Sequence, residues 1–211
     1  MKRFLTVGTN EIRKDLFVPI SDVNAHSEVK PSGGLWLTEF DTNMPNYNSW
    51  MDFILYSKRN VLFYKNRGSN PFKQPCCVVV LKEEANIYKL DGIESYQFLL
   101  NHFSDGKGGF SYEILCNKYD GIYIDLRRLL YNMDFDTRRK FFDFDVDTLI
   151  LFNCDCIDHY YSGVVDIVPF EPSDAWAIDY FDYLVKWDGE KKLVTDSDEL
   201  RLNRDGSGIK R

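Results

Sequence analysis

The 211-residue chain lacks any run approaching the ~18 consecutive apolar residues that a membrane-crossing helix needs. A membrane partner is therefore not expected. Its opening, MKRFLTVGTN, places basic residues ahead of only a very short apolar run, which is not the pattern of a secretory leader. The five cysteines (Cys76, Cys77, Cys116, Cys154 and Cys156) are odd in number and irregular in spacing. They do not form a disulfide framework, and reduced thiols point to a cytoplasmic setting. Basic excess is also missing: 26 Lys and Arg against 33 Asp and Glu leave a net charge of −7. That is the opposite of the footprint of a sequence-independent nucleic-acid binder, although Arg127, Arg128, Arg138, Arg139 and Lys140 make a local basic group. No internal repeat, Walker loop, Rossmann glycine fingerprint or Ser-His-Asp arrangement is present. His26 and His102 have no partner identifiable by spacing. Cys154-x-Cys156 with His159 lacks the second pair a zinc site needs. An EF-hand loop begun at Asp143 fails, because Thr148 stands where Gly is required and Cys154 where Glu is.

What the chain has is apolar and aromatic material. Apolar residues make up 44% and aromatics 16%, with 16 Phe and 13 Tyr, enough for a sizeable core and for flat, stacking-rich surfaces. Short strands are expected at 3–7, 35–38, CVVVLK, NIYKLD, GIYID and VDTLILF, with GVVDIVPF pairing after the last of these. Helices are expected at YNSWMDFILYS, IESYQFLLNHF, around 111–118, and at SDAWAIDYFDYLVKW behind a Ser-Asp cap. Many short strands with few helices define an α+β class. One domain is expected over 1–187. From Asp188 onward half of the residues are charged and hydrophobic clusters vanish, so 188–211 reads as a loosely held tail.

Three places carry candidate chemistry. The first is Thr6-Val7-Gly8-Thr9 at the end of the first strand, and the second is Gly33-Gly34-Leu35-Trp36-Leu37-Thr38. The third is Asp147, ahead of the most apolar strand. Glycine at a strand end lets backbone approach a ligand because no Cβ intervenes. A planar amide can be held by backbone N–H and C=O beside an aromatic ring, and a carboxylate can stabilise positive charge on a sugar as its leaving group departs. Each feature also has an ordinary reading. The Gly-Gly pair fits a tight loop, Trp36 and Trp50 fit a core, and the alternating Asp143, Asp145 and Asp147 fit a solvated strand edge or an Asp-x-Asp cation pair.

The ordered set VGT, GGLWLT and a late acid resembles ADP-ribosyltransferases of the His-Tyr-Glu class, which include diphtheria-like toxins and poly-ADP-ribose polymerases. It is also similar to bacterial and phage proteins with Lys-Pro-x-Gly-Gly-Leu-Trp, a Trp-bearing helix, a Tyr-Asp-Gly-Ile strand and a late acidic motif. This chain matches these with Lys30–Trp36, Trp50, Tyr119–Ile122 and Phe144–Thr148, over roughly residues 4 to 157. The resemblance implies a split β-sandwich with flanking helices and NAD, as substrate, in its cleft. It implies that Gly8 grips the nicotinamide amide, that Thr9 sits beside the ribose, and that Trp36 replaces the family tyrosine. Tyr47 or Trp50 would supply a second stacking ring, and Asp147 would take the glutamate position. Val7 stands where the class has histidine, with Thr6 as the nearest hydroxyl, and Asp147 is one methylene shorter than glutamate.

The expectation is thus NAD-dependent transfer of ADP-ribose to a protein or nucleic-acid acceptor. Two alternatives stay open: a non-catalytic phage or mobile-element protein that binds a host protein, and a metal-dependent nucleotide-sugar transferase using Asp145 and Asp147.

Overall fold

The computed structural model describes residues 2–22, 30–40, 73–144, 146–169 and 181–191. The helix expected at YNSWMDFILYS lies outside the described residues, as do the start of the helix expected at SDAWAIDYFDYLVKW and the end of the tail. Eight strands are described: β1 (Arg3–Val7), β2 (Leu35–Phe40), β3 (Lys73–Leu81), β4 (Ile87–Leu90), β5 (Gly121–Ile124), β6 (Thr148–Leu151), β7 (Ile157–Pro169) and β8 (Phe181–Lys191). Four helices join them: α1 (Ile93–His102), α2 (Tyr112–Leu115), α3 (Leu126–Tyr131) and α4 (Phe135–Lys140). The α+β class therefore holds. The strand order is β4-β5-β6-β2-β1-β3-β7-β8, with β4 and β5 parallel and every other pair antiparallel.

Local sequence explains most elements. In β3, Cys76 through Val80 are at most 1% exposed. Short β-branched side chains suit a strand buried on both faces. In α1, Tyr96, Leu99 and the following Phe103 are buried at helical spacing, and Ser95 Oγ accepts from the Gly92 and Asp91 N–H groups at the helix start. Ser111, Asp125 and Asp134 cap α2, α3 and α4 by accepting from the N–H groups of Ile114, Arg128 and Thr137.

Two sequence expectations change. GVVDIVPF does not pair with the apolar VDTLILF strand: β7 lies between β3 and β8, whereas β6 lies between β5 and β2. Residues 181–187 form a strand and not the end of a helix. Phe181, Tyr183, Val185 and Trp187 alternate in sequence, the period of a strand. The same strand runs on to Lys191.

The sheet coils back on itself. β3 and β4 stand five places apart in the order, about 24 Å on a flat sheet. Yet only Lys82–Asn86 joins them, a link that spans about 21 Å at full stretch. It is shortened further by a turn in which Ala85 N–H donates to the Lys82 carbonyl. The two arms must therefore face each other. Between them lies a core shared by Phe4, Leu37, Val79, Tyr123, Leu149, Leu151 and Tyr160. Phe4 and Tyr123 come from strands three places apart, and their ring centroids are 6.4 Å apart. A second core, around Leu99, Ile122, Leu129, Phe141 and Ile150, packs α1, α2 and α3 on the outer face of the β4-β5-β6 arm. A third, smaller one (Leu5, Phe40, Cys76, Val78 and Val165) lies on the outer face of the other arm.

Removing the Phe4 ring, which joins the two arms, is expected to be costly. Phe4→Ala should lower the unfolding free energy by about 3–5 kcal/mol. Tyr131, 86% exposed, should tolerate the same change within about 0.5 kcal/mol. Urea unfolding of both variants measures the difference.

Candidate functional site

The site follows from one feature of β2. Its first half pairs with β6 (Leu35↔Leu151, Trp36↔Ile150, Leu37↔Leu149), while its second half pairs with β1 (Thr38↔Leu5, Glu39↔Phe4, Phe40↔Arg3). The β1–β2 ladder ends at Leu5↔Thr38, and beyond it the two strands part. A cleft of about 450 Å³ occupies the wedge. Among the described residues, Leu5, Thr6 and Val7 line one wall and Trp36, Leu37 and Thr38 the other. Lys30–Gly33, Phe144, Val146 and Thr148 complete it.

The structure brings together Thr6, Val7, Trp36 and Thr38 from the sequence-derived set. Gly8, Thr9, Gly34 and Leu35 border these elements without lining the cleft. Gly8 has φ +108° and its N–H donates to the Pro75 carbonyl at 2.8 Å, so that group is already bound within the chain. The Thr9 hydroxyl closes a local turn, donating to the Glu11 carbonyl at 2.7 Å. Leu35 joins the core between the arms. Tyr47 and Trp50 lie outside the described residues.

The Gly-Gly pair serves the chain's own packing. Both glycines have positive φ, +73° at Gly33 and +70° at Gly34. A Cβ on Gly33 would stand 2.1 Å from the Pro19 carbonyl oxygen, and one on Gly34 would stand 2.9 Å from the Ile150 side chain. Gly34 N–H donates to the Val18 carbonyl at 2.8 Å. The close approach read from the sequence is real, but the neighbour is the 18–19 backbone on one side and β6 on the other. The bend also presents the Gly33 carbonyl to Trp36 Nε1, 2.8 Å away, which fixes the indole.

Trp36 in turn stacks on Phe144, with centroids 6.0 Å apart and planes at 23°. Phe144 carries no obvious signal in the sequence beyond its place in FDFDVDT, and it is the aromatic partner that the sequence reading missed. Lys30 Nζ lies 5.6 Å from each ring centroid and donates to the Asp143 carbonyl at 3.0 Å.

Asp147 is placed elsewhere. Thr148 lines the cleft, and β6 residues alternate between faces, so Asp147 falls with Leu149 and Leu151 on the side of the core between the arms. Its carboxylate accepts from Arg127 N–H at 3.3 Å. Burial raises its pKa above the ordinary carboxylate value, and the nearby Asp125 and Glu39 push the same way. Tyr123, whose hydroxyl donates to Glu39 at 3.1 Å, is raised chiefly by burial as well. Asp143 and Asp147 do not lie along one strand, because residues 141–143 form a turn and β6 begins only at Thr148. Asp145 lies outside the described residues.

Among the described residues no group of three or more His, Cys, Asp or Glu is arranged to hold a metal ion. Cys154 and Cys156 are buried and their thiols are pushed up to about 11 and about 12, so both are structural packing. No described helix is long and apolar enough to cross a membrane. In comparisons with family models, curated proteins and solved structures, nothing matches this chain.

Two predictions follow from these placements. Gly33→Ala should cost about 2–4 kcal/mol, combining left-handed strain with a backbone clash, whereas Gly8→Ala, with open space around its Cβ, should cost about 1 kcal/mol. Urea midpoints separate the two. For Asp147, a carboxyl whose pKa rises on folding holds its proton more tightly in the native chain. Its ionisation therefore removes stability as pH climbs through the folded value. Asp147→Asn should raise the melting temperature at pH 7 and change it less at pH 3.5, as thermal melts at both values would show.

Proposed function

We propose that the wedge between β1 and β2 binds NAD and that the protein transfers ADP-ribose from it to a macromolecular acceptor, protein or nucleic acid. On this reading the coiled two-armed sheet is an ADP-ribosyltransferase-like split β-sandwich. In the reaction the bond from the ribose anomeric carbon to nicotinamide breaks, and its electron pair leaves on the ring nitrogen. A nucleophile of the acceptor bonds to that carbon and gives up its proton. The transition state is oxocarbenium-like, so holding the dinucleotide in a reactive geometry is a large part of catalysis.

The observation that supports this reading is the parting of two paired strands beside a fixed indole. Where the β1–β2 ladder stops, backbone edges at Thr6–Val7 and Trp36–Leu37 face a cleft, and edges of that kind suit a planar amide. The size also suits the ligand, since about 450 Å³ lies in the range of small-molecule and cofactor sites.

A second reading rests on a different observation. No carboxylate is among the described residues that line the cleft, and Asp147 belongs to the opposite face. Without a carboxylate near the ribose, the developing charge has less support. That favours a protein that binds its ligand, or a host protein, without turnover.

Calorimetry with NAD, with nicotinamide release followed in the same sample, tests both. The first reading expects micromolar binding and slow release, both lost in Val7→Phe, which fills the cleft while melting like the parent. Binding without release would favour the second. Absence of NAD binding would overturn the first.

A further inference from the structure

Lys30 is the only charged side chain among the described residues lining the cleft, in a protein of net charge −7. The remaining polar side chains of that lining are the hydroxyls of Thr6, Ser32, Thr38 and Thr148. Thr148 Oγ1 donates to the Val146 carbonyl at 2.8 Å, and Ser32 Oγ to the Ser21 carbonyl at 3.3 Å. The fixed charge of the described wall is therefore positive and sits at one place. Its position is defined by three lengths. The ammonium is 5.6 Å from the Trp36 centroid and 5.6 Å from the Phe144 centroid, and the centroids are 6.0 Å apart. Lys30 thus rides over the seam between the two rings, with one hydrogen bond to a carbonyl and two N–H groups left to direct elsewhere.

This arrangement constrains how a dinucleotide can lie. The nicotinamide ring of NAD is cationic, and a cation stacked beside Trp36 would meet the Lys30 ammonium. One face of the indole is also taken by Phe144. A phosphate at the same end meets an ammonium in a partly dry, aromatic-walled setting, where a charged hydrogen bond is strong. We propose that the cleft recognises its ligand by a diphosphate held at Lys30, as part of a nucleoside diphosphate. The cationic ring of NAD then points away from Trp36, toward the β1 wall at Thr6 and Val7. This inference rests on the NAD reading for the identity of the ligand and on the charge distribution for its orientation.

The test uses the full chain and three probes (ADP-ribose, inorganic pyrophosphate and nicotinamide), with Lys30→Met and Lys30→Arg. Methionine keeps an apolar stem over the rings and removes the charge, whereas arginine keeps the charge. Melting curves confirm that both fold. The expected result is about a tenfold or greater loss of ADP-ribose and pyrophosphate affinity in Lys30→Met, with most of it retained in Lys30→Arg. Added KCl should weaken pyrophosphate binding to the parent and have little effect on what remains in Lys30→Met. Nicotinamide binding should not fall in Lys30→Met. If ADP-ribose binds the parent and Lys30→Met equally, the diphosphate site is wrong while the NAD reading survives. If pyrophosphate binds in a Lys30-dependent way but neither ADP-ribose nor nicotinamide binds, the diphosphate site stands and the NAD reading fails. If none of the probes binds the parent, both are overturned.

Discussion

The structure depends on a change of hydrogen-bonding partner in the middle of one short strand. β2 gives its first three residues to β6 and its last three to β1. A strand of six residues can join two arms in this way only if the arms diverge, because a continuous ladder on both edges would hold them in register and close the gap. The parting opens the wedge between β1 and β2, and the coiling of the sheet follows from the same divergence. The five-residue link from β3 to β4 then pins the ends of the arms together. Backbone hydrogen bonding thus forms the cleft, and side chains finish it.

Strand alternation sorts most of the finishing side chains. Trp36 and Thr38 line the cleft and Leu35 belongs to the core between the arms, while Leu37 borders both. On β6 the same rule brings Thr148 to the cleft and sends Asp147 to the neighbourhood of Glu39, Asp125 and Tyr123. One residue of register therefore separates a carboxylate in the cleft from a carboxylate near the N-terminus of α3. The consequence is electrostatic: acids gather on one side of the sheet, while the described lining of the cleft carries the single positive charge of Lys30. Among the described residues the lining therefore combines aromatic surface, hydroxyls and one cation.

Much of the architecture was legible in the sequence where local pattern and burial agree. CVVVLK could hardly be other than a buried strand, and IESYQFLLNHF carries its apolar positions at helical spacing. α3 and α4 were passed over as a basic group, although Asp125 and Asp134 are ordinary N-caps. Residues 181–187 read as the end of a helix because a Ser-Asp cap signal opens SDAWAIDYFDYLVKW, although Phe181, Tyr183, Val185 and Trp187 alternate as in a strand. The Gly-Gly pair reads in the sequence as backbone brought close to a ligand, whereas what lies against both glycines is the chain itself. Which backbone or ligand approaches is a property of distant residues, here Val18, Pro19 and Ile150.

By itself the sequence determined the α+β class, most of the described strand and helix positions, and that 33 and 34 are places where backbone comes close. These depend on propensity, periodicity and backbone sterics, which act over a few residues. Only the tertiary structure decided that β2 divides its pairing at Thr38, that Phe144 stacks on Trp36 beneath Lys30, and that Asp147 lies on the far face. Each of those depends on which strands become neighbours and in which register. Pairing across a hundred residues of chain is selected by the joint burial of whole faces, a quantity that no local stretch of sequence contains.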